Sequence, residues 1–66
     1  MFKVGDIVEL PKYHKGIHWI VKRKRGYVLY VSPIKDYSSF SHNSQYSTNE
    51  ADCTMIQSKQ SNIPWL

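Results

Sequence analysis

The sequence predicts one small all-β domain, and three observations carry that prediction. Apolar and polar side chains alternate with a period of two wherever a period exists, as in a strand with one buried face. The alternating segments are bounded by Pro11, Gly16, Gly26 and Pro33, and they lack the 3.6-residue stripe of a helix. Valine, isoleucine, tyrosine and tryptophan, which suit a pleated half-buried surface, fill them. Sixty-six residues make one domain, with no room for a second. A chain of this length buries only about 60% of the surface its unfolded form exposes, so regular strand pairing must supplement a small core.

The first strand is read from Phe2 to Leu10, where Phe2, Val4, Val8 and Leu10 share one parity and Lys3 and Glu9 take the other. Gly5-Asp6 is turn chemistry and predicts a tight bend or bulge before the strand proper begins at Ile7. Pro11 lacks an N–H and ends the strand or marks its edge. In the next segment Ile17, Trp19 and Val21 fall on one face, and His18, Ile20, Lys22 and Lys24 on the other. Gly26 supplies the positive φ of a tight hairpin, and Tyr27 to Val31 returns as its second strand until Ser32-Pro33 breaks it. Trp19 is expected in the core, and Tyr30 half-exposed on the opposite face with Val28.

Residues 35–50 read as a long loop. Its stretch from 37 to 47 holds five serines with Tyr37, Phe40 and Tyr46, and no Asp, Glu, Lys or Arg. Asn49 to Asp52 suggests a single helical turn, and Cys53 to Ile56 a short closing strand in which Cys53 is an inert buried thiol. Residues 58–66 form a C-terminal tail behind a domain of residues 1–57. The Ile63-Pro64-Trp65-Leu66 end either covers an open edge of its own domain or docks in another molecule's groove.

Charge is distributed unevenly. The net charge is +4, yet Lys12, Lys15, Lys22, Arg23, Lys24 and Arg25 lie within fourteen residues that contain no acid. Such asymmetry gives a directional field whose natural complement is nucleic acid or the acidic face of a protein; a solvated, solubilising face is the structural alternative. A single cysteine excludes an internal disulfide and suits a reducing compartment. No stretch approaches the roughly 20 apolar residues of a membrane span, and no secretory leader is recognisable, so a cytoplasmic protein with no membrane partner is expected.

The order of these elements resembles the small five-stranded Src-homology-3-like barrels. The opening Phe2-Lys3-Val4-Gly5-Asp6-Ile7-Val8-Glu9-Leu10 looks like the start of many small bacterial and phage domains of that architecture. The closing Glu50-Ala51-Asp52-Cys53-Thr54-Met55-Ile56 looks like their last element, a short turn delivering a strand that pairs back onto the first. The resemblance covers roughly residues 2–57, with the long polar and aromatic loop as an insertion. Gly5-Asp6-Ile7-Val8 followed by Lys15-Gly16 is similar to the KOW-type module of ribosomal and transcription-elongation proteins, but Ile17-His18-Trp19 stands where that motif has a further glycine. Barrels of this shape bind peptides, RNA, DNA and protein surfaces alike, so the fold does not choose a function.

The expected activity is non-catalytic binding. Phosphates require cationic donors and bases require flat π-faces, and one segment offers both. Lys12, Lys15, Lys22, Arg23, Lys24 and Arg25 are therefore the candidates for nucleic-acid or ribonucleoprotein contact, with Tyr13 and Tyr27 stacking. The alternative is a small protein-interaction or inhibitory module, in the manner of a phage protein, that grips a host protein through Tyr37, Phe40, Tyr46 and Trp65. His14 and His18 are four apart around Lys15-Gly16, a turn rather than the helix that such a metal pair needs, so no metal or cofactor is expected. No phosphate loop, nucleophile elbow or close carboxylate pair is present, and an enzyme is not expected.

Overall fold

In a computed structural model, residues 2–38 and 40–58 are described. Five antiparallel strands form one sheet: β1 (Ile7–Leu10), β2 (His14–Arg25), β3 (Val28–Pro33), β4 (Tyr46–Asn49) and β5 (Thr54–Gln57). A single 3₁₀ turn, Glu50–Asp52, separates the last two. The strand order is β4-β3-β2-β1-β5, so the last strand pairs back onto the first, with Val8 opposite Met55 and Glu9 opposite Thr54.

The alternation works as expected through the middle of the sheet. Val8, Leu10, Trp19, Val21, Leu29 and Val31 are all buried and make the core, with Phe2, Ile17, Phe40 and Cys53 packed against it. Val8 lies opposite Trp19, and Val21 opposite Val31, so the inward residues of neighbouring strands meet as cross-strand pairs. Tyr30 and Val28 are half-buried on the other face.

Val4 departs from the parity that groups it with Val8, and is 52% exposed. The cause is the Gly5-Asp6 turn. Gly5 has φ +96°, which a residue carrying a Cβ adopts only with strain, and the Asp6 N–H donates to the Lys3 carbonyl at 3.0 Å. The chain thus reverses between Lys3 and Asp6, and strand alternation does not extend across it. The buried Asp6 carboxylate accepts the Lys3 N–H at 2.8 Å, closing the turn from the other side. Gly5 N–H and the Asp6 carbonyl then both pair with Val21, at 2.8 and 2.9 Å, fastening the turn to β2. Asp6→Ala strands a partly buried N–H, so it is expected to cost about 1–3 kcal/mol. A fall in the urea midpoint checks this; an unchanged midpoint would show that the carboxylate does not hold the turn.

Two further departures matter for function. Tyr46–Asn49, within the segment read as loop, is a strand paired with Val28–Val31 on the edge of β3. The long connection therefore ends at Gln45, and strand β4 comes from the segment beyond it. Strand β2 also begins at His14, three residues before the expected Ile17, and its register shifts between Val21 and Arg23. Asn49 caps the 3₁₀ turn by accepting the Ala51 N–H at 2.9 Å, consistent with the helical turn expected there.

Candidate nucleic-acid interface

The β2–β3 hairpin positions Lys22 to Arg25. Arg25 pairs with Val28, leaving the two-residue loop Gly26-Tyr27 with φ +60° at Gly26 and no positive φ at Tyr27. That is the pattern of a type II′ turn, whose twist matches that of the strands it joins. Tyr27 stands at the tip, 74% exposed.

The register shift makes Lys22 the extra residue of a bulge, and this re-aims everything after it. Arg23 comes to lie opposite Tyr30, with its guanidinium 5.6 Å from the ring centroid. Arg25 shares that outer face opposite Val28. Lys24 points the other way, opposite the buried Leu29; its Nζ donates to the Phe2 carbonyl at 3.0 Å and pairs with Glu50 at 3.5 Å. Simple alternation puts Lys24 on the face opposite Val21; the inserted residue turns it to the face of the buried Leu29 instead. Among the described residues no carboxylate lies within ion-pairing distance of Lys22, Arg23 or Arg25, whereas Lys24 is tied down.

Lys12 and Lys15 sit at the opposite end of β2. Lys15 and Lys22 are seven positions apart, which along a strand is up to roughly 23 Å. The two basic groups belong to opposite ends of β2, a strand interrupted by Gly16 at φ +89° and by the register shift at Lys22. Tyr13 is 57% exposed in the turn before β2, with the Lys12 ammonium 6.0 Å from its ring centroid.

His14, Trp19, Phe40 and Tyr46 form a four-ring cluster that the sequence reading did not assemble. Every pair is in contact, with centroids 4.7–5.7 Å apart, and all are edge-to-face or tilted. Trp19 is fully buried at its centre, and its Nε1 has no acceptor among the described residues. Beside the cluster opens a cavity of about 210 Å³. Leu10, Tyr13 and His14 wall it on the β1–β2 side, Tyr46, Ser47 and Thr48 on the β4 side, and Asp52 closes it from the 3₁₀ turn. The signal in the sequence is the period-two pair Tyr46 and Thr48, an aromatic and a β-branched residue, obscured by the serine and asparagine between and after them.

The residues of the alternative protein-binding set are dispersed in role. Tyr37 is half-buried, its hydroxyl accepts the His18 N–H at 3.1 Å, and it exchanges backbone hydrogen bonds with Phe40 at 2.7 and 3.2 Å. Phe40 packs on the core, and Tyr46 belongs to the ring cluster. Trp65 lies outside the described residues. The same loop carries an exposed pair: the Asp36 carboxylate accepts the His42 N–H at 2.8 Å and its Nδ1 at 2.7 Å. The backbone N–H foremost, then the ring, hold Asp36 below the usual carboxylate range.

Cys53 is half-buried against the core, and desolvation pushes its thiol above the ordinary value. Alkylation by iodoacetamide at pH 7.5 is expected to run well below the rate for free cysteine, since the thiolate is the nucleophile. A rate equal to that of the free amino acid would contradict the burial. Among the described residues no three His, Cys, Asp or Glu side chains cluster as metal ligands do, and no helix is long and apolar enough to cross a membrane. No protein-family model matches this chain, and neither a curated protein nor a solved structure is significantly similar to it.

Proposed function

We propose that this chain is a non-catalytic module that contacts nucleic acid, alone or in a ribonucleoprotein, through the outer face of the β2–β3 hairpin. The observation that carries the reading is the trio Lys22, Arg23 and Arg25. These cations share a projecting hairpin with exposed Tyr27 and half-buried Tyr30, and no acid among the described residues neutralises them. A phosphate chain gains by releasing counterions to such a face, and the aromatic rings offer sequence-tolerant stacking. Lys12, Lys15 and Tyr13 extend the footprint along β2, while Lys24 contributes to the hairpin's attachment through Phe2 and Glu50. The strand order, with β5 returning to β1 after a 3₁₀ turn, also suits the Src-homology-3-like barrel that the sequence resembles.

The test is a titration of labelled single- and double-stranded oligonucleotides at two salt concentrations. Binding at low salt that weakens steeply as salt rises is expected. Failure to bind either form at low salt would remove the reading.

A further inference from the structure

The cavity beside the ring cluster combines features that the hairpin does not have. Its walls are aromatic, with Tyr13 open to solvent and Tyr46 39% exposed. Its one carboxylate, Asp52, is half-buried and has no cation within ion-pairing distance among the described residues. At about 210 Å³ it falls below the roughly 300–1,000 Å³ of sites that enclose a drug-sized ligand, and suits one flat heterocycle.

Its surroundings carry both signs of charge. Lys12 and Lys15 flank Tyr13 and His14 at one rim. At the other, the 3₁₀ turn that carries Asp52 is fastened to the hairpin: the Glu50 N–H donates to the Tyr27 carbonyl at 2.8 Å, and its carboxylate pairs with Lys24 at 3.5 Å. Strand β4 runs from the cavity at Tyr46 to Asn49 opposite Val28, a rise of about 10 Å. Strand β4 therefore links the cavity to the hairpin that carries the second basic group.

A free cation would satisfy Asp52 but be opposed by the lysines. An anion would satisfy the lysines and be opposed by Asp52. A neutral heterocycle bearing N–H donors, attached to a phosphate chain, meets both signs at once. We infer that this cavity takes one splayed base of a single-stranded nucleic acid, held against Tyr13 and Tyr46, with Asp52 accepting from an exocyclic amino group. The inference rests on the nucleic-acid reading and adds base preference to it: cytosine, guanine or adenine over uracil, whose exocyclic positions only accept.

The experiment uses the full chain and uridine decamers in which one central nucleotide is U, C, A or G, at low salt. An amino-bearing base is expected to bind roughly tenfold more tightly than uridine, the lower part of the range for one good base contact. Asp52→Ala and Asp52→Leu, two variants so that one failing to fold is not decisive, should reduce that ratio toward one, with uridine binding held or tightened as the opposing charge is lost. Tyr13→Ala should weaken all four decamers together. Equal affinity of the wild type for all four decamers, or a preference that survives loss of the carboxylate, overturns the inference while the hairpin reading stands. Binding of N-acetyl-lysine amide that depends on Asp52, with no base preference, would assign the cavity to a cationic protein side chain and overturn it as well. No binding of any decamer would end both proposals.

Discussion

Trp19→Ala is expected to destabilise the protein by about 3–5 kcal/mol, a third or more of its total stability. The indole is fully buried, sits at the centre of the His14–Phe40–Tyr46 cluster and lies opposite Val8 and Pro33 on either side. Truncating a buried tryptophan costs about 3–5 kcal/mol. At about 0.05–0.15 kcal/mol per residue, a domain of this length has roughly 3–10 kcal/mol in total. Far-UV circular dichroism against urea measures the loss. Trp19→Phe should be much milder, about 1–2 kcal/mol, because the Nε1 it removes has no acceptor among the described residues and costs something to bury. Retention of more than about two-thirds of the wild-type stability by the alanine variant would mean the cluster is not the keystone of the core.

Joint replacement of Lys22, Arg23 and Arg25 by alanine is expected to give the largest change in nucleic-acid affinity. Each phosphate neutralised on a single strand contributes about 0.7 to the slope of log affinity against log salt. Removing three should lower that slope by about two, and weaken binding on the order of a hundredfold near 0.1 M salt. Stability should change little, since none of the three is ion-paired among the described residues. Lys24→Ala makes the contrasting control. It frees the Phe2 carbonyl and Glu50, so it should lower the denaturation midpoint more than the triple variant does. An unchanged salt slope in the triple variant would place the contact elsewhere on the molecule.

The strands around Trp19 were legible in the sequence because alternation is a local code: Val8, Leu10, Trp19, Val21, Leu29 and Val31 each declare their face through their immediate neighbours. The hairpin turn at Gly26 and the capped turn after Asn49 are local in the same sense. The side assigned to Lys24 was not legible, because a bulge at Lys22 depends on how β2 and β3 align rather than on any residue type. Nor was β4. Tyr46-Ser47-Thr48-Asn49 has little apolar character and becomes a strand where the free edge of β3 offers it partners.

The amino-acid sequence by itself determined the all-β class, the buried tryptophan and the basic segment, since each follows from residue type and spacing over a few positions. Only the tertiary structure decided which cations stay unpaired, and that His14, Trp19, Phe40 and Tyr46 share one cluster with a cavity and Asp52 beside it. Those residues come from three separate stretches of chain, and non-local strand pairing, not local propensity, brings them within reach.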